Sequence, residues 1–265
     1  MSAPVRLVLS GATGRMGTAV AELAREDPGL ALVGGIGRFP TEDCDIGCPL
    51  VETPETAGAW IRDADVLVDF SAPELIGRLI DMHGAAFEGR ALVIGTTGLA
   101  PEEQHRLDRL AERSAVLQAA NFSVGVNLLL ALAERAASVL DSDAWDAEII
   151  EAHHRRKADA PSGTALALAD AVASGRGLAL DDVRVDGRSG HPGARPTGQI
   201  GLHAVRGGDI VGEHRLLFVS DRERIELAHI AQDRRLFAEG ALRAARWIAG
   251  RSPGRYTLRD VLGLS

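Results

Sequence analysis

Val5-Arg-Leu-Val-Leu-Ser-Gly-Ala-Thr-Gly-Arg-Met-Gly17 reads as a short apolar strand running straight into a glycine turn. A helical pattern follows from Met16 to Arg25, with Val20, Leu23 and Ala24 on one face. Leu30 to Ile36 is a second apolar run. A strand, a glycine turn, a helix and a strand in this order form a right-handed crossover, so the two strands are expected to lie parallel and adjacent. The alternation continues. Asp65 to Phe70 reads as a strand and Pro73 to Met82 as a helix. Ala91 to Ile94 is a strand, Pro101 opens a charged helix, and Ala115 to Gln118 is one more strand. Nearly all-apolar strands alternating with helices predict a parallel sheet covered on both faces.

The pattern changes after about residue 121. A helix is expected over Gly125 to Leu140, a strand over Ala147 to Ala152, and a helix over Gly163 to Ala173. Residues 175–198 are rich in Gly, Pro, Asp and Arg and read as a long surface loop. Three strand-like runs follow, Gln199 to Val205, Ile210 to Val219 and Arg224 to Ile230, joined by short turns that predict a partly antiparallel second sheet. Arg234 to Ala249 reads as a closing amphipathic helix. The expected fold class is α/β, a Rossmann-like dinucleotide-binding domain beside an α+β domain with a mixed sheet.

Composition excludes several functions. The 265 residues are 46% hydrophobic and 25% charged, ordinary proportions for a folded chain. A net charge of −8 argues against nucleic-acid binding, which needs a basic face. No run is long and apolar enough to span a membrane, and no leader pattern opens the sequence, so a cytoplasmic protein with no membrane partner is expected. Cys44 and Cys48 are read as reduced loop thiols. No metal is expected, because His153 and His154 are adjacent on a strand and cannot easily share one ion with Glu148 or Glu151.

The glycine turn Gly11, Ala12, Thr13, Gly14, Arg15, Met16, Gly17 is a variant of the dinucleotide turn, in which glycines let the backbone approach a pyrophosphate at a helix N-terminus. The acid that usually binds the adenosine ribose about 20 residues later is absent. Gly37 and Arg38 stand there, and arginine suits a 2′-phosphate, so NADPH is the preferred cofactor over NADH. Glu42 or Asp43 could fold back to serve the ribose instead. Gly95-Thr-Thr-Gly98 and Asn121-Phe-Ser-Val-Gly125 follow strands at the same carboxyl edge. The richest segment is Glu148 to Ala165, which holds His153, His154, Arg155, Arg156 and Lys157 before Pro161-Ser-Gly-Thr164 opens a helix. Cations beside a helix N-terminus form a cradle for a small carboxylate, and an imidazole can exchange a proton near neutrality. Lys157 is the only lysine in the chain; every other one of the 29 basic residues is arginine. A lone amine points to a task that a guanidinium cannot perform.

These residues carry a resemblance. Gly11 to Gly17, Gly95 to Gly98, Asn121 to Asn127, Glu151 to Ala165 and Gly208 to His214 resemble, in order, the motifs of the dihydrodipicolinate reductase family. The resemblance implies NAD(P)H-dependent reduction of 4-hydroxy-tetrahydrodipicolinate, a small cyclic dicarboxylate, to tetrahydrodipicolinate in lysine and diaminopimelate biosynthesis. It implies His153 and Lys157 as catalytic residues and His154, Gly163 and Thr164 as substrate contacts. It further implies Gly11 to Met16, Gly95, Thr96, Thr97, Ala119, Ala120, Asn121 and Phe122 as dinucleotide contacts. Residues 1–122 and 234–265 would bind the dinucleotide, and 123–233 the substrate, with hinge closure between them and a homotetramer formed through the second sheet. Two alternatives remain open from sequence: a related nicotinamide-dependent reductase of another imine or keto acid, and a non-catalytic NAD(P)H-sensing module.

Overall fold

The computed structural model describes residues 3–37, 46–48, 50–51 and 54–264. The chain folds as two compact units, Met1–Val124 with Arg235–Ser265, and Gly125–Arg234. Arg38, Glu42, Asp43 and Cys44 lie outside the described residues.

The first unit begins with β1 (Val5–Ser10), α1 (Arg15–Glu26), β2 (Leu30–Ile36), β3 (Leu50–Val51) and α2 (Gly58–Asp63). It continues with β4 (Val66–Asp69), α3 (Pro73–His83), β5 (Ala91–Ile94), α4 (Pro101–Ala111) and β6 (Ala115–Gln118). The second unit holds α5 (Val124–Ala137), β7 (Asp146–His153), α6 (Gly163–Gly175), α7 (Leu180–Val183), β8 (Arg184–Asp186), β9 (Ile200–Arg206), β10 (Gly212–Val219) and β11 (Arg224–Ala231). The chain then returns to the first unit with α8 (Arg235–Ile248), β12 (Gly254–Tyr256) and α9 (Leu258–Leu262).

The first sheet has the order β12-β6-β5-β4-β1-β2-β3, and all its pairings are parallel. Strand direction of growth reverses between β1 and β4, the switch point where α/β sheets bind ligands. Period-two alternation builds two cores. Leu7, Leu9, Val66, Val68, Val93 and Leu117 face α1 and α8. Val8, Leu67, Leu92, Ile94 and Val116 face α2, α3 and α4. Both faces are therefore covered, as the unbroken apolar strands require. In α1, Gly17, Val20, Ala21 and Ala24 are buried at helical spacing.

The second sheet, β11-β10-β7-β9-β8, is mixed: β11, β10 and β7 are antiparallel, and β7, β9 and β8 parallel. Ala147, Ile149, Ile200, Leu202, Leu216 and Phe218 form its apolar face, covered by α5 and α6. Residues 175–198 depart from the expected uniform loop, because they contain α7 and the short edge strand β8. The rest of that stretch is pinned by charge. Arg188 and Arg195 both donate to Glu148 on β7, and Arg195 also pairs with Asp146. The closing elements β12 and α9, together with β3 and α2, are too short to carry a periodic signal, and the sequence reading did not mark them.

Candidate active site

The carboxyl edge of the first sheet is assembled from the ends of β1, β4, β5 and β6. Backbone bonds tie these ends in sequence: Phe70 N donates to Ser10 O, Gly95 N to Asp69 O, and Ala119 N to Ile94 O. Gly11 turns at φ +76°, a conformation that favours glycine, and Gly14 caps α1 with no side-chain bond to the first-turn N–H groups. A Cβ at Gly17 would overlap the carbonyl of Gly11, so glycine there permits the tight turn. A cavity of about 670 Å³ opens over this turn, lined by Gly11, Thr13, Gly14, Gly37, Phe70 and Ser71. Bare backbone at a helix N-terminus beside such a cavity fits the pyrophosphate of a dinucleotide.

The expected dinucleotide residues do not all present side chains. Ala12 is buried in the core. Phe122 is buried there too, its ring edge-to-face with Phe70 at 5.5 Å. The Thr96 hydroxyl is buried and donates to Asp69, while it accepts from Ser71 N. Thr96 and Phe122 can therefore meet a ligand only through their backbones. Asn121 accepts from Ser123 N through its side-chain oxygen, an Asx turn at the end of β6. Thr97 and Ala120 are exposed, and Ala119 is half-buried. Fully buried Asp69 accepts from the hydroxyls of Ser71 and Thr96, each at 2.5 Å. Burial pushes its carboxyl above the usual range against those bonds.

The second cluster lies at the end of β7. Glu151 and His153 are two residues apart on a strand, so they share the face that carries Ala147 and Ile149. Glu151 is 1% exposed. Its carboxylate accepts His153 Nδ1 at 2.6 Å, a two-pronged Arg206 guanidinium at 2.7 Å on each oxygen, and Ser162 N at 3.0 Å. Burial opposes ionisation, yet Arg206, His153 and the Ser162 N–H together hold the Glu151 carboxyl below its ordinary value. His214 lies edge-to-face with His153 at 5.2 Å, and its Nε2 is 3.2 Å from Ser162 Oγ. Burial, reinforced by His153, drives the His214 imidazole down to about 4.

His154 directly follows the last residue of β7, and its Nδ1 is buried with no hydrogen-bond partner among the described residues. Burial and the nearby charges of Arg234, Arg156 and Lys157 hold its imidazole below the usual value, which favours the neutral ring. Lys157 closes a turn through its backbone N–H to His154 O, and its amine pairs with exposed Asp159 at 2.8 Å. Ser162 caps α6 by accepting from Ala165 N, and open space surrounds the Cβ position of Gly163. Thr164 follows in the first turn of α6. Arg156 instead pairs with Asp209 at the surface. A proton-exchanging imidazole, an amine and a helix N-terminus thus occur together within one segment, an arrangement suited to an anionic substrate.

Arg206, His214 and Asp69 were missed by the sequence reading. Glu151 was weighed only as a metal ligand; in the structure both of its oxygens accept from Arg206. The spacing Glu151-x-His153 on a strand was the available signal. Arg206 and His214 reach the site through strand register, which is not visible in sequence.

Comparison with known proteins accords with these features. Residues 5–122 match the family model for the N-terminus of dihydrodipicolinate reductase, and 125–262 that for its C-terminus. The chain is 49% identical over 262 residues to the 4-hydroxy-tetrahydrodipicolinate reductase of Acidiphilium cryptum, covering 99% of each chain. It is 44% identical to that of Parvibaculum lavamentivorans, covering 100% of both. Its fold matches dipicolinate-bound dihydrodipicolinate reductase from Paenisporosarcina sp. TG-14, with a TM-score of 0.76 at 24% identity over 96% of this chain and 97% of that one. On the strength of both halves and of relatives matched end to end, the chain belongs to the dihydrodipicolinate reductase family.

Proposed function

We propose that this chain reduces 4-hydroxy-tetrahydrodipicolinate to tetrahydrodipicolinate, a step of lysine and diaminopimelate biosynthesis. Met1–Val124 with Arg235–Ser265 holds the dinucleotide, and Gly125–Arg234 holds the substrate. The observation that carries this reading is the Glu151–His153 pair beside Lys157 and the open N-terminus of α6, in a chain with full-length relatives of that name. The ring hydroxyl leaves as water together with a hydrogen from the neighbouring ring carbon, and one hydride and one proton enter the ring. Bound nicotinamide supplies the hydride. His153 supplies the proton from its ring, and Lys157 holds a carboxylate in exchange for Asp159. The first-turn N–H groups at Gly163 and Thr164, with His154, receive the ring's carboxylates.

NADPH is the favoured dinucleotide. Gly37 replaces the acid that would repel a 2′-phosphate, and Arg38 follows it. Arg78 lines the cavity over the glycine turn and brings a guanidinium to it, although Glu55 pairs with it at 2.7 Å. The protein works in the cytoplasm as a homotetramer. Val205 and Ile230, on the face of the second sheet opposite Phe218 and Ala147, are exposed in the single chain and offer an apolar surface for that assembly.

A steady-state assay with enzymatically generated substrate tests the reading. Wild type turns over, and His153→Ala lowers kcat by about 10²–10⁴-fold, the range of a positioned acid–base group. An absence of turnover in wild type overturns the assignment. In the same assay kcat/KM favours NADPH over NADH, and Arg38→Ala erodes that preference. Equal use of both dinucleotides by both proteins ends the 2′-phosphate argument.

A further inference from the structure

We propose that Glu151 is a positioning residue for His153: its clamped carboxylate accepts the Nδ1 proton of the ring and commits Nε2 to proton exchange with the substrate. The inference rests on the proposed role of His153 and extends it to the groups behind the ring.

Strand register delivers the parts. On β7, Glu151 and His153 share one face. Arg206 on β9 stands directly across from His153, and His214 on β10 directly across from Glu151. Residues paired across a sheet point to the same side, so four polar side chains converge where the apolar face of the sheet runs out. The Arg206 fork meets the two carboxylate oxygens, and Ser162 N adds a third anchor. An ionised carboxylate is an acceptor only, so the 2.6 Å contact requires the hydrogen to sit on Nδ1. The neutral ring then has its lone pair on Nε2, and the charged ring has its transferable proton there.

The space around Nε2 supports the same assignment. Gly212 lies two residues before His214 on β10 and so faces the same side. A Cβ at Gly212 would stand 3.2 Å from His153 Nε2, so glycine clears that end of the ring. His214 packs edge-to-face on the imidazole and limits its rotation. The ring is held at one nitrogen and cleared at the other. When His153 gives its Nε2 proton to the substrate, the Nδ1 proton stays in place, and Glu151 remains a carboxylate throughout. This division of labour holds the reactive tautomer without moving a second proton.

The test reads the tautomer directly, without turnover. In 15N-histidine-labelled wild type, with His153 assigned by its loss in His153→Gln, the neutral ring at alkaline pH shows a protonated Nδ1 and an unprotonated Nε2. In Glu151→Gln the side-chain amide can donate to Nδ1, so the ring shifts toward the Nε2–H form. There kcat falls by about 10–10³-fold, a share of the acid–base contribution, while KM for NADPH stays within about twofold. Glu151→Asp restores the Nδ1–H form and part of kcat. A wild-type ring protonated at Nε2 overturns the proposal, even if Glu151→Gln fails to fold. So does Glu151→Gln with the kcat of wild type. If His153→Gln itself turns over like wild type, the role of His153 fails while the tautomer stands as a structural fact, so the two failures are distinguishable.

Discussion

Lys157 is the sole side-chain amine of the chain, and it sits in the turn directly after the two histidines. Its partner, Asp159, is 60% exposed, so a substrate carboxylate can displace that carboxylate at little cost. Arginine would keep the charge, but its planar fork meets a carboxylate in a different geometry from a compact ammonium. Lys157→Arg is therefore expected to lower kcat by at least about tenfold and to leave the dissociation constant for NADPH unchanged. Unaltered turnover, measured beside wild type, would reduce the amine to a plain positive charge. The residues of this segment were legible because each is chemically unusual in its setting: paired histidines, one lysine, a proline-serine-glycine helix start. Thr96 was legible as a position and not as a side chain. Its hydroxyl turns inward to Asp69, a choice fixed by an acid 27 positions away that the local sequence does not display.

At the scale of elements, α8 returns across the chain to cover the sheet of the first unit, and Gly240 is where it sits closest. A Cβ there would overlap the carbonyl oxygen of Phe122, an atom fixed by backbone. Gly77, midway along α3, differs: the nearest atoms to its Cβ position lie 3.7–3.8 Å away in the flexible side chains of Glu103 and Arg106. Alanine favours a helix over glycine by about 1 kcal/mol. Gly77→Ala should accordingly gain about 0.5–1 kcal/mol, whereas overlap should make Gly240→Ala cost about 1–3 kcal/mol. Opposite shifts of the denaturant midpoint would show this, and a stabilised Gly240→Ala would refute the close packing. Boundaries of β2, β5 and β6 agree with the sequence reading, because fully apolar runs bounded by turn residues leave little choice of state. The strand β8 escaped it. Its three residues, Arg184-Val-Asp186, are held by pairing with β9 and by the Glu148–Arg188 clamp beyond, and neither is a local property.

For the whole molecule, acid is a condition to which the structure gives a clear response, and two of the groups that respond, His214 and Glu148, lie in the second unit. The His214 imidazole falls from 6.5 to about 4 on burial, so the folded form resists protonation that the unfolded chain accepts. Its contribution is complete above pH 6.5 and is lost as pH falls toward 4. The Glu148 carboxyl, held by Arg188, Arg195 and His203 against the cost of burial, falls from 4.5 to about 2. Its contribution is complete above pH 4.5 and is lost as pH falls toward 2. Each shift amounts to something on the order of 3 kcal/mol. Denaturant titrations across pH should find two successive losses. The stability gap between wild type and Glu148→Gln should narrow only below about pH 4.5, and a gap constant from about pH 6 to about pH 3 would contradict the clamp. Crossover rules made β1 and β2 parallel neighbours in advance, whereas the places of the other strands in the first sheet come from the structure. The second sheet was foreseen as mixed, but the short turn at Gly207-Gly208-Asp209 does not join neighbouring strands: β7 lies between β9 and β10, and only β10 and β11 pair as a hairpin.

A chain with a single ε-amine also carries its own chemical label site. Acylating reagents that pass over arginine would modify one side chain, at the turn where Lys157 meets Asp159. The speed of that modification, read at the Lys157 peptide by mass spectrometry, is expected to fall with 2,6-pyridinedicarboxylate and not with an unrelated monovalent anion if the proposed carboxylate contact of Lys157 holds.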